Sequence, residues 1–258
     1  IDSNGEFNSA AASHINVQET AGNLTLGLVD SAGGNVTLDS PADILDNDLD
    51  AGRDVEGVNI ALSATGDIGK APANNDIDIN LTGAGEFTST GSTNIYLEET
   101  ADDFNLESIT TTGVAILVST GGNILDTSAG EAANITADDI GLTASAGTIG
   151  TAVGVADLDI NITGAGDLDA VANGVIDIEE TAGVLPVGTI VSTTDDINLT
   201  GATINLAAAS TINAGDDTNF IADDYTINGA STITAADQAV FSRQTAGDLD
   251  IGGGILTF

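Results

Sequence analysis

Apolar and polar residues alternate in short runs along this chain. "DIDINLT" (76–82), "NIYLEE" (94–99), "LDINIT" (158–163), "VIDIEE" (175–180) and "DINLT" (196–200) each place Ile, Leu or Val at every second position. The positions between them hold Asp, Asn, Thr or Glu. A period of two predicts β-strands with one buried face. Gly, Asn, Asp and Ser cluster between the runs, which is the chemistry of turns. No long stretch carries a helical stripe. The alanines of "AAASTIN" (207–213) are followed at once by Thr and Ile, without a capping motif.

The runs recur. "INLTGAGEF" at Ile79–Phe87 returns as "INITGAGDL" at Ile160–Leu168. "LSATGDIGKA" from Leu62 is matched by "LTASAGTIGTA" from Leu142, and "ILD" occurs at Ile44 and Ile124. Gln18-Glu19-Thr20, Glu98-Glu99-Thr100 and Glu179-Glu180-Thr181 form a further series. One spacing of about 80 residues serves all four markers, which indicates a duplicated unit. Thr245-Ala246-Gly247 follows Thr181 too soon, as if the last copy had lost a segment. Within a copy, Ile77, Ile95, Ile116, Ile135 and Leu158 open similar stretches, so the basic unit is about twenty residues and four make one long repeat.

Units this short bury no face alone, but stacked they form aliphatic ladders inside and polar ladders outside. The expected fold is all-β: a parallel β-helix, or β-solenoid, of roughly twenty-residue coils. It forms one continuous domain over 1–258, with long repeats at about 1–76, 77–157, 158–240 and a partial 241–258. About thirteen coils are expected, with "TGAG" at a corner. Tandem β-sandwich domains are the alternative. The very short strands, the twenty-residue subperiod and the absence of Trp weigh against them.

Charge changes the picture most. Three basic residues (Arg53, Lys70, Arg243) face 40 acidic ones, giving a formal net charge of −37. Such a surface repels nucleic acid and anionic membranes and attracts cations. The aliphatic content still allows a buried core. There is no Cys and no Met, not even at position 1, so the chain reads as part of something longer. No apolar run is long enough to insert in a membrane.

"GNLTLGLVDSAGGNVTL" (22–38) and "DINLTGATINL" (196–206) resemble the shafts of filamentous-haemagglutinin-like exoproteins and adhesins. The resemblance implies a right-handed parallel β-helix, an extracellular or cell-surface location and a middle or distal segment of a secreted fibre. It carries over no functional residue.

Candidate chemistry is sparse. His14 is the one histidine, at the edge of an alternating strand, so a Ser-His-Asp set has only one place to form. Glu98/Glu99 and Glu179/Glu180 are carboxylate pairs of the kind glycoside hydrolysis uses, but a pair repeated in successive copies suits a structural ladder better. Calcium is the one cofactor with a candidate set: Asp46, Asp48, Asp50, Asp54 and Glu56 cluster in "DILDNDLDAGRDVE" (43–56). Hard cations want several oxygens, although Gly57 stands where an EF-hand loop needs Glu. No cofactor is required by any other feature. Six Asn-x-Thr sequons (Asn23, Asn35, Asn80, Asn134, Asn161, Asn198) place Asn and Thr outward around an inward aliphatic residue, as strand alternation would.

The functional expectation is a non-enzymatic structural or adhesive rod. Its partners would be a continuation of the same chain or self-association through coil ends, with host or cell-surface glycans or proteins beyond. The alternatives are a self-assembling filament or surface-layer subunit, calcium-dependent in one version, and a polysaccharide-active enzyme.

Overall fold

The computed structural model describes all residues except 2–4, 48–51, 72–74, 129, 151–156, 246–249 and 258. It is an all-β parallel solenoid of about 10 coils, about 21 residues per turn, without a helix among the described residues. The stretch with the alanines at 207–213 belongs to the long strand Ile197–Asn213. At roughly 4.8 Å per coil the stack is on the order of 50 Å long.

Two stacks of strands, half a turn apart, organise the coil. One runs through Val29, Val55, Ile79, Glu99, Ser119 and Ala144, each paired in parallel with the next. The other runs through Ile15, Val36, Ile60 and Phe87 to the strand Phe104–Thr111, then Ile135, Ile160 and Glu180. Ile95 pairs with Ala115, 20 residues on, whereas Ile140 pairs with Leu168, 28 residues on. Turns therefore vary in length through insertions at the corners. This is why the chain makes about 10 coils rather than thirteen.

The variation also changes the meaning of the long repeat. Val29, Val55, Ile79 and Glu99 lie in the first stack, while their counterparts Ile109, Ile135, Ile160 and Glu180 lie in the second. One repeat thus spans about three and a half turns, not four, and successive copies face opposite sides of the rod. From Ile197 onward the pairing Ile197, Thr218, Ala239 advances by a uniform 21 residues. Thr245 arrives early for that reason, and its setting differs. The hydroxyls of Thr20, Thr100 and Thr181 donate to the carbonyls of Ile1, Ile79 and Ile160, in the coil before. The hydroxyl of Thr245 donates instead to Asp223.

The interior is aliphatic, as the alternation predicts. Leu24, Ile44, Ile68 and Ile95 form one ladder, and Phe104, Ile124, Ile149, Ile176 and Ile197 another, all fully buried. Phe87 and Phe104 meet edge to face at 5.6 Å, the favoured geometry for an aromatic pair.

The two copies of "TGAG" do mark a corner. A Cβ on Gly85 would sit 1.5 Å from the carbonyl oxygen of Val58, and one on Gly166 would sit 2.4 Å from that of Asp138. Val58 and Asp138 are themselves counterparts 80 residues apart. The phrase is repeated because only glycine lets this corner lie on the coil beneath it.

Candidate functional site

The repeated Glu-Glu-Thr phrase is also a corner device. Glu19, Glu99 and Glu180, the second acid in each copy, are buried. Glu99 Oε1 accepts the N–H groups of Ala101 (3.1 Å) and Asp102 (3.3 Å), and Oε2 accepts that of Leu81 in the coil before (2.8 Å). Glu180 repeats this with Ala182 (3.1 Å) and Ile162 (3.0 Å), and Glu19 holds Thr20 (2.9 Å) and Ala21 (3.3 Å). Each carboxylate clamps its own turn, and two of them also clamp the coil below. Burial pushes the carboxyls of Glu99 and Glu180 up, partly offset by these N–H donors.

His14 lies exposed at another corner, where its Nδ1 accepts the N–H of Asn35 at 2.9 Å. Five of the sequon asparagines are exposed or half-buried, but Asn134 is fully buried. It is a structural residue rather than an outward one. Its Nδ2 donates to Asp126 Oδ1 (2.6 Å), and its Oδ1 accepts the N–H of Asp159 (3.1 Å).

Of the acids in 43–56, Asp46 closes the strand Ile44–Asp46 and is buried. Asp54 is turned inward, and its Oδ2 accepts the N–H of Asp78 at 2.9 Å. Glu56 is ion-paired with Arg53, which also reaches Asp30 at 3.9 Å. Asp48 and Asp50 lie outside the described residues. The structure thus commits Asp54 and Glu56 to contacts within the first copy.

Carboxylates do converge elsewhere, at places that reading by local spacing missed. Asp76, Asp78 and Glu98 each bring an oxygen within 4.8 Å of the others, as do Glu131, Asp157 and Asp159, and Asp216, Asp217 and Asp237. The first two groups are related by the repeat. Asp76 and Asp78 of "DIDIN" correspond to Asp157 and Asp159 of "DLDIN", and Asp78 pairs with Glu98 as Asp159 pairs with Glu179. The signal was present in the sequence, as an Asp-x-Asp recurring with a Glu about twenty residues later. It needed the coil register to be read.

The second group is the more strained electrostatically. Burial first, then Asp157, Glu131, Asp126 and Glu179, push the Asp159 carboxyl up to about 7. Asp177 is pushed up to about 7 by burial, Asp157 and Glu179. Glu179 is raised by burial and by Asp157 and Glu131. In the first group Glu98 is raised, by burial and Asp76. Desolvation and like charge both disfavour ionised carboxylates. A divalent cation bound among them would reverse that balance.

No protein-family model, curated protein or solved structure matches the chain. The fold is therefore defined by its own geometry, as a parallel β-solenoid.

Proposed function

We propose that this chain is a non-enzymatic extracellular structural element, a stiff acidic rod within a surface or secreted fibre of the filamentous-haemagglutinin-like kind. One observation carries the reading: parallel pairing runs unbroken from coil to coil, so the chain forms one stack with a single aliphatic interior. A solenoid resists bending because every coil is bonded along its length to two neighbours. The repeated features are spent on that stacking: the corner glycines sit against the coil below, and Glu99 and Glu180 clamp adjacent coils together. The acidic exterior keeps such a rod soluble and apart from other anionic surfaces. Its partners would be further coils of the same chain, and glycans or proteins at a cell surface.

The test is electron microscopy of the purified chain, in calcium and then in chelator. Single short rods in both conditions are expected. Ordered filaments that dissolve on chelation would replace this reading with a self-assembling, calcium-dependent subunit. Turnover of a polysaccharide by the same preparation would replace it with an enzyme.

A further inference from the structure

The chain's three basic side chains are all engaged away from the second carboxylate group. Arg53 pairs with Glu56 and Asp30, Lys70 with Asp43 at 3.5 Å, and Arg243 with Asp223 at 3.4 Å. Glu131, Asp157 and Asp159 therefore converge with no lysine or arginine of this chain to neutralise them. Asp126 and Glu179 add charge close by. Where the first copy has Arg53, the second has Ala133.

A second, independent observation singles out Asp159. The residue is only 2% exposed, and its Oδ1 is buried with no hydrogen-bond partner. The corner carboxylates of Glu99 and Glu180 are buried too, yet both oxygens of each accept an N–H. A buried carboxylate oxygen without a donor is costly. Asp159 is also held in place: Asn134 accepts its N–H and grips Asp126 with the same amide. Such second-shell support is how proteins orient the ligands of a metal.

We propose that Glu131, Asp157 and Asp159 form a discrete Ca²⁺ site, with Asp126 and Glu179 as flanking carboxylates. The spacing suits the ion. Two oxygens bound to one Ca²⁺ at about 2.4 Å can lie up to about 4.8 Å apart, whereas a Mg²⁺ shell spans only about 4.2 Å. One oxygen from each of the three residues falls within 4.8 Å of the others. Glu131 is exposed, which leaves a route for the ion from solvent, and Asp159 forms the floor. The site joins the corner at Glu131 to the next coil at Asp157 and Asp159, so the ion would act as a cross-link between coils. This inference does not depend on what the rod carries or where it is displayed.

The experiment is calorimetric titration of the full chain with CaCl₂ at physiological ionic strength, for the wild type, Asp159→Asn and Glu131→Gln. Saturable binding is expected in the wild type, weakened roughly tenfold or more by Asp159→Asn and severalfold by Glu131→Gln. Circular dichroism in chelator should show both variants folded, with Asp159→Asn melting no lower than wild type. Glu131 is exposed, so its variant tests the ligand role even if Asp159→Asn misfolds. Asp216→Asn, in the separate exposed group, should leave the affinity unchanged. The proposal is overturned if the wild type shows no saturable uptake, or if neither ligand variant weakens it. It is equally overturned if MgCl₂ binds with the same affinity.

Discussion

The two copies of the acidic corner share a backbone and differ in how their charge is met. In the first, Asp54 hydrogen-bonds the N–H of Asp78, Arg53 lies beside it in sequence, and Lys70 lines one surface pocket with Asp76 and Tyr96. In the second, Asn134 replaces Asp54, Ala133 replaces Arg53, Thr151 replaces Lys70 and Asp177 replaces Tyr96. Each substitution removes a positive charge or exchanges which acids are present, while Asp157, Asp159 and Glu179 stay. The fold sets where carboxylates gather, because the register of coil on coil stacks the same positions. What compensates them is left to neighbours that the fold does not constrain. The first copy brings its own cations, and the second is built to receive one from solution.

The most severe way to probe this shared backbone is at the corner glycines. Gly85→Ala would place a methyl 1.5 Å from the Val58 carbonyl oxygen, and Gly166→Ala would place one 2.4 Å from that of Asp138. The obstacle is main chain in both cases, so the coil must move. We expect a loss of about 3 kcal/mol or more for Gly85→Ala and somewhat less for Gly166→Ala, in chemical denaturation. Gly83 has a positive φ of 72° but open space around it. Its Ala variant should cost only about 1 kcal/mol. Equal losses at Gly83 and Gly85 would mean that close approach does not define the corner.

Next in size are the corner clamps. Glu99→Gln keeps the shape but leaves only one acceptor oxygen for three N–H groups, so a loss of about 1.5–3 kcal/mol is expected, and Glu180→Gln should behave alike. Both carboxyls are raised by burial. A carboxyl raised in the folded state takes up protons on folding, so its stabilisation is greatest in acid and is lost as pH rises through the folded value. The wild type should therefore gain stability from about pH 7 to about pH 5, and each Gln variant should lose its part of that slope. Melting curves across that range read both effects.

Much of this was legible without coordinates, because stacking converts sequence period directly into structure. Alternating Ile and Leu located the inward positions, and repetition of "TGAG" located a bend. Coil length was not legible. Insertions of several residues between strands, as between Ile140 and Leu168, leave the alternation intact while delaying the next coil. Counting twenty-residue units therefore overestimated the number of coils and hid the half-turn offset between copies. The acidic groups were missed for the same reason. Asp159 and Glu131 are far apart in sequence, and only the longer second-copy turn brings them to one place. "DNDLD" drew notice because its acids are adjacent in sequence, yet neighbours on a strand point to opposite faces. Asn134 likewise read as an outward strand residue, although it lies just before the strand Ile135–Ala137, at a corner where its amide is turned inward.

The smallest expected effect is the one that tests the comparison most directly, by exchanging the two solutions. Ala133→Arg gives the second copy the cation that the first holds at Arg53, and Arg53→Ala removes it from the first. Partly exposed ion pairs contribute about 0.5–1 kcal/mol, so neither change should disturb the fold. In chelator, Ala133→Arg should melt slightly higher than wild type and Arg53→Ala slightly lower. In CaCl₂ the order should compress, because a bound ion stabilises most the chain that lacks an internal cation. The calcium-induced rise in melting temperature should be smallest for Ala133→Arg, intermediate for wild type and largest for Arg53→Ala. High salt should shrink the differences in chelator by screening, while a site with direct carboxylate ligation should keep more of its calcium response. A calcium response identical in all three chains would break the link between the two copies. It would mean that the missing arginine and the buried, unpartnered oxygen of Asp159 are unrelated facts.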